Sequence, residues 1–270
     1  MSVNKIESRD NPRLKHARKV RDGRVTEQIY VEGVRLAEEA VRSGLQIEEC
    51  LYASSFGAAE REQELLSKVS RRCNDLFELS NRLFPSIADT KTTQGIILLC
   101  KRPAADRASF DRKIHLAGES LPLVVMLTEV NNPSNLGAVI RTAEAAGASG
   151  LIVSKNSADA FSPKALRAAM GSAFRLPVWE EAETDAVFRW ARAKDLHIIA
   201  ASGRGDTDYT EVDWTQRSLI VFGSEAHGLS AELVEEAATK IRIPMESLVE
   251  SLNLAVSVGV VLFEARRQNT

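Results

Sequence analysis

The sequence has little of what several function classes require. Its three cysteines, Cys50, Cys73 and Cys100, are odd in number and widely spaced. That pattern excludes a disulfide-dense secreted scaffold and reads as reduced, mostly buried thiols in a cytoplasmic protein. Only four histidines occur, none at ligand spacing from another histidine or a cysteine, so no metal site is expected. No apolar run reaches the roughly 18 residues of a membrane helix, and Met1-Ser2-Val3-Asn4-Lys5 lacks the apolar centre of a signal peptide. A membrane partner is therefore not expected. Also missing are a Gly-x-Gly-x-x-Gly after a first strand and a Gly-x-x-x-x-Gly-Lys-Ser/Thr, which removes the main support for dinucleotide or nucleoside triphosphate chemistry.

An excess of either charge is lacking, with 35 Lys and Arg against 37 Asp and Glu and a formal net charge of −2, so global electrostatics do not announce a polyanionic partner. The distribution is uneven. Residues 1–24 carry Lys5, Arg9, Arg13, Lys15, Arg18, Lys19, Arg21 and Arg24 against Glu7, Asp10 and Asp22. Residues 1–27 read as a basic arm, able to neutralise phosphates or simply solvated.

What is present is an α/β pattern in two blocks. Residues 28–103 alternate short strands (Ile29–Glu32, Ile47–Ala53, Leu76–Leu79, Gln94–Cys100) with helices at Val34–Ser43 and Ala58–Arg71, a small unit without a catalytic cluster. Residues 104–119 are polar and mixed in charge and read as a linker. From residue 120 to 270 a larger unit begins with Leu123–Leu127, a continuous apolar strand of the kind buried on both faces of a parallel sheet. The last 28 residues hold an apolar run from Leu252 to Phe263, followed by Glu264-Ala265-Arg266-Arg267. Ser251 reads as its helix N-cap, which would bury Asn253 one turn in. An unpartnered buried amide is costly, so Asn253 is either satisfied in the core or faces a ligand.

Ligands bind at strand C-termini in open α/β sheets. Three such loops carry polar residues without an evident core duty: Asn131–Thr142, Gly223–Ser230, and Ile243-Pro244-Met245 through Ser251-Leu252-Asn253. Each alone is weak. Turn asparagines and a surface arginine account for the first, a tight turn for the second, and His227 beside Glu225 is more simply a loop histidine.

Taken in order, the three loops resemble the motifs of the SpoU/TrmH-type RNA 2′-O-ribose methyltransferases of the SPOUT class. Asn135, Gly137, Arg141, Thr142 and Ala143 match the first motif. Gly223, Glu225, Gly228, Leu229 and Ser230 match the second, and Ile243-Pro244-Met245 with Ser251-Leu252-Asn253 match the third. Ala226 and Ser247 stand where glycines are usual. The N-terminal block resembles, more loosely, the ribosomal-protein-like substrate-binding domain that often precedes such a catalytic domain.

The resemblance implies a trefoil-knotted parallel-sheet domain that binds S-adenosylmethionine (SAM) through Gly223, Ile243 and Leu252. It implies Arg141, Asn135, Glu225, Ser251 and Asn253 as catalytic residues, RNA rather than DNA as partner, most often 23S rRNA, and a homodimer. A non-catalytic assembly factor that binds SAM and RNA, or a tRNA 2′-O-methyltransferase, are the alternatives.

Overall fold

A computed structural model describes residues 4–73, 75–116, 123–225, 227–246 and 251–269. The chain divides into two compact units, Met1–Pro103 with Phe161–Arg175, and Ala104–Ala160 with Leu176–Thr270.

In the first unit the elements are β1 (Asn4–Ile6), α1 (Pro12–Arg21), β2 (Gln28–Glu32), α2 (Val34–Arg42), β3 (Ile47–Ala53), α3 (Glu60–Ser70), β4 (Leu76–Leu79) and β5 (Ile96–Lys101). The sheet runs β1-β4-β3-β5-β2, with β5 antiparallel to both of its neighbours. The segment read as a basic arm is here a strand and a helix. Helix α1 starts at Pro12, is capped by the Asn11 side chain accepting from Arg13 N, and buries Leu14, Ala17 and Val20. These three share a core with Tyr30, Leu51, Phe77, Leu79, Ile97 and Leu99. The cations that dominate its composition occupy the rest of the helix, and an apolar stripe of only three residues at i, i+3 and i+6 is easily hidden among them. Several are committed: Arg13 lies 4.2 Å over the Phe77 ring and 3.1 Å from Glu49, and Arg18 donates to the Ser86 carbonyl.

Residues Phe161–Arg175 join this unit although the chain on both sides belongs to the other. Arg167 pairs with Asp89 at 2.6 Å and Arg175 pairs with Glu39. Gly171, at φ +92°, lies so close to Glu39 that a Cβ there would sit 2.6 Å from its side chain. Burial pushes the thiols of Cys50, Cys73 and Cys100 up, so none is a ready thiolate.

In the second unit follow α4 (Arg107–Leu116), β6 (Leu123–Leu127), α5 (Pro133–Ala146) and β7 (Gly150–Ser154). Beyond α6 (Pro163–Ala169) of the first unit come β8 (Val178–Ala182), α7 (Thr184–Ala193), β9 (His197–Ala201), β10 (Thr207–Asp208), β11 (Ser218–Phe222), α8 (Ala231–Glu236), β12 (Thr239–Arg242) and α9 (Leu254–Gln268). The sheet runs β10-β12-β9-β11-β6-β7-β8 and every pairing is parallel. Strand β6 and residues 151–153 of β7 are continuously apolar, as strands covered on both faces of such a sheet are.

The segment read as a linker forms α4 over most of its length. Phe110 on α4 is fully buried beside Trp179 and Trp190, with ring centroids 6.1 and 5.7 Å away. Asp111 accepts from Trp190 Nε1 at 2.9 Å. One buried aromatic among polar neighbours was too thin a pattern to reveal this. The final helix also begins later than the N-cap reading of Ser251 implies. Asn253 is the cap, its side chain accepting from Ala255 N, and it is exposed rather than buried one turn inside. Among the described residues no helix is long and apolar enough to cross a membrane.

Two truncations test this packing. Leu14→Ala should cost about 2–5 kcal/mol and Phe110→Ala about 3–5 kcal/mol of unfolding free energy, each creating a cavity in its own unit. All three tryptophans lie in the second unit. Urea titration by tryptophan fluorescence should therefore register Phe110→Ala, and far-UV circular dichroism should register Leu14→Ala. A loss under about 0.5 kcal/mol, the usual scale of a surface substitution, would return that segment to a solvated role.

Candidate active site

Because the strands of the second unit are parallel, the loops that follow them leave the same edge of the sheet. The loops after β6, β9, β11 and β12 thereby converge, and three of these four are the motif loops.

The loop after β11 is held by sterics. Gly223 packs under the turn that follows it: a Cβ at position 223 would lie 2.0 Å from the Gly228 carbonyl carbon and 2.3 Å from Leu229 N. Only glycine fits where two backbones approach so closely. Gly228 adopts φ +66°, and its N–H donates to the Ser224 carbonyl at 2.9 Å, closing the turn. Ser230 then caps α8, accepting from Leu233 N. Ala226, at one of the departures from the motif, lies outside the described residues, as does Ser247 at the other.

A cavity of about 540 Å³ opens beside this turn. Gly223, Ile243 and Leu252, the three positions assigned to the cofactor by resemblance, all line it, together with Glu225 and Ser251. Its wall mixes backbone-rich glycine turns, apolar side chains such as Leu254 and Val261, and the hydroxyls of Ser202, Ser224 and Ser257. This size and composition fit a nucleoside: an apolar slot for a base, with polar groups for a ribose and a charged tail. SAM has those parts, and the residues present fit it.

At the site three side chains, one from each motif, form a chain. Asn135 Nδ2 donates to Glu225 Oε1, and Asn253 Nδ2 donates to Asn135 Oδ1 at 3.4 Å. Asn253 Oδ1 meanwhile accepts from Ala255 N at 2.9 Å. One amide thus caps α9 with its oxygen and reaches the first motif with its nitrogen. The cost expected of a buried Asn253 does not arise, because the residue is exposed at a helix end. Asn135 is itself placed by α5, which opens with Asn132 accepting from Ser134 N and Pro133 in the first turn.

Arg141 is not brought into this group. It is exposed on α5 and does not line the cavity. Six residues beyond Asn135, it falls about 120° around the helix from it, at about 100° per residue. Helix α9 packs on α5, with Gly259 facing Thr142 and Arg266 donating to the Ala145 carbonyl. It leaves Val256 and Phe263, seven residues apart on one face, 51% and 50% exposed.

Sequence reasoning missed the loop after β9. Ala201, Ser202, Gly203 and Arg204 line the cavity, and Gly205 packs directly on β12, where a Cβ would lie 2.4 Å from the Ile241 carbonyl carbon. The signal was available: small residues and two glycines directly follow an apolar strand.

Comparison with known proteins agrees with this geometry. The family model described as the SpoU rRNA methylase family matches residues 122–263, and the MRM3-like substrate binding domain matches residues 11–98. The crystal structure of an AdoMet-bound rRNA methyltransferase from Sinorhizobium meliloti is similar with a TM-score of 0.85 and 31% identity, over 99% of each chain. The 23S rRNA (guanosine(2553)-2′-O)-methyltransferase RlmP of Bacillus subtilis is 27% identical over 98% of this chain and 100% of its own length. The 23S rRNA (guanosine-2′-O-)-methyltransferase RlmB of Shewanella oneidensis is 31% identical over 77% of this chain and 86% of its own. A family model that spans over half of the chain, on a parallel sheet where two motif loops line one cavity and the first motif joins them through Asn135, places this protein in the SpoU rRNA methylase family of SAM-dependent methyltransferases.

Proposed function

We propose that this protein methylates a ribose 2′-hydroxyl in large-subunit (23S) ribosomal RNA. The observation that carries the reading is the chain Glu225–Asn135–Asn253 beside a nucleoside-sized cavity lined by Gly223, Ile243 and Leu252. The names of the relatives support the choice of RNA, since both RlmP and RlmB are described as 23S rRNA 2′-O-methyltransferases.

Bound SAM would supply an electrophilic methyl group on its sulfonium. The chain's own task is then to align the acceptor in line with it, a contribution that positioning alone can make large. Glu225 and Asn135 hold each other in a fixed orientation, and each keeps a second polar atom, Glu225 Oε2 and the other Asn135 N–H, for a nucleotide. Ser251 and Asn253 fix the backbone entering α9. Arg141 acts on the RNA as a cation: guanidinium stays protonated, so it clamps phosphate and hydroxyl while the phosphate or solvent takes the proton.

A homodimer belongs to the same proposal. Arg141 lies outside the cavity of its own chain, and α9 presents Val256 and Phe263 to solvent, an apolar pair suited to a second copy. The trefoil knot and a cytoplasmic site of action are proposed with it. The position of β12 between β9 and β10, with Gly205 packed on the β12 backbone, supports the threaded topology.

Labelled methyl from SAM should enter unmodified 23S rRNA, but not 16S rRNA or tRNA, and should render one linkage resistant to alkali. Arg141→Ala should reduce the rate at least about 10²-fold, the scale of removing one electrostatic stabiliser. Label in tRNA alone would redirect the substrate assignment. No label despite SAM binding would favour an assembly factor. For Arg141→Lys, the rate should stay flat as pH rises toward the lysine range near about 10.4, whereas recovery in step with lysine deprotonation would make residue 141 the base. Phe263→Glu should convert a dimer to a monomer in sedimentation; a wild-type chain sedimenting as a monomer would end the dimer proposal.

A further inference from the structure

The cavity wall carries four ionisable side chains, Arg204, Glu225, His227 and Arg242. Glu225 accepts from Asn135, and Arg242 Nη1 donates to the Gly205 carbonyl at 3.3 Å. Arg204 is different. It is exposed, and its guanidinium makes no hydrogen bond or ion pair among the described residues.

Its backbone, by contrast, is firmly placed. Gly205 N donates to the Ser202 carbonyl at 2.9 Å and Arg204 N to Ser202 Oγ at 3.3 Å, which makes residues 202–205 a tight turn. The close approach of Gly205 to Ile241 pins that turn against β12. A fixed base carrying an uncommitted guanidinium, on the wall of a ligand cavity, is an arrangement for holding an anion at little ordering cost.

SAM has one anionic group, its α-carboxylate, beside two cationic ones, the sulfonium and the α-ammonium. Glu225 attracts the cations and repels the carboxylate. Arg204 is the uncommitted cation on the same wall.

Resting on the reading of this cavity as the SAM site, we propose that Arg204 binds the α-carboxylate of SAM and so selects the amino-acid end of the cofactor. It is a specificity residue for the cofactor, separate from Arg141, whose anion is on the RNA. None of the motif residues that line the cavity carries a cationic side chain, so this contact is assigned to the β9 loop.

Decarboxylated SAM, which lacks only that carboxylate, isolates the contact. Isothermal titration of the full chain should show SAM binding about tenfold more tightly than its decarboxylated analogue, the scale of one charge-assisted hydrogen bond. In Arg204→Gln the two ligands should bind alike, at the affinity the wild type has for the analogue, and Arg204→Lys should retain part of the preference. Because Arg204 is exposed, both variants should fold, and binding of the analogue at wild-type affinity verifies that they have. A tenfold preference that persists in Arg204→Gln would overturn the assignment, as would a wild type that does not distinguish the ligands. A persistent preference with weakened RNA binding would move Arg204 to a phosphate contact. If the wild type bound neither ligand, the cavity reading itself would fail, and this inference with it.

Discussion

The site depends on one close contact between backbones. Gly223 lies against the Gly228–Leu229 peptide at a distance no side chain could share, which folds the loop after β11 back on itself and presents Glu225 beside the cavity. Turn, cavity wall and functional carboxylate therefore share one steric constraint. A methyl group at residue 223 would have to displace backbone, so its effect would reach all three. The contact at Gly205 against Ile241 repeats this device on the neighbouring loop. Two strand ends are thus fixed by the absence of side chains, which leaves peptide N–H and C=O groups free to line a pocket.

Polar order is built on that frame with few parts. Asn253 closes the N-terminus of α9 and reaches Asn135, so helix capping and site assembly are carried by one amide. Capping alone is worth about 1 kcal/mol, and the same residue ties the third motif to the first. Asn135 passes the constraint on to Glu225. An amide is suited to this middle position because it donates and accepts at once, whereas a carboxylate there would face Glu225 as a like charge.

The N-terminal unit solves a different problem. A basic surface and an apolar core are drawn from the same short helix, because α1 buries three of its ten residues and carries lysine or arginine at five others. Some of those cations are held by carbonyls, carboxylates or an aromatic face, as Arg18, Arg13 and Arg21 are. The match of residues 11–98 to a substrate-binding domain fits a unit that offers cations on a rigid scaffold. The segment Phe161–Arg175 packs with this unit, held by ion pairs to Glu39 and Asp89.

Local chemistry determined much of this protein in the sequence. Continuous apolar runs at Leu123–Leu127 and Leu219–Phe222 specify buried parallel strands, since only residues covered on both faces dispense with alternation. Serine followed by proline at residues 162 and 163 carries the N-cap and first-turn chemistry of α6, and the glycine spacings marked the motif loops; Asn132-Pro133 opens α5 in the same way, within a stretch that reads as loop in the sequence. Tertiary structure decided what depends on contacts distant in sequence. That Leu14 and Phe110 are core could not be read from their polar neighbours, because burial is conferred by a sheet formed elsewhere in the chain. Asn253 rather than Ser251 caps α9, its oxygen accepting from Ala255 N, and only the fold brings its amide nitrogen to Asn135, over a hundred residues earlier. The role of Arg204 as cavity wall likewise follows from the packing of Gly205 on β12, and packing between strands leaves no trace in the spacing of a single loop.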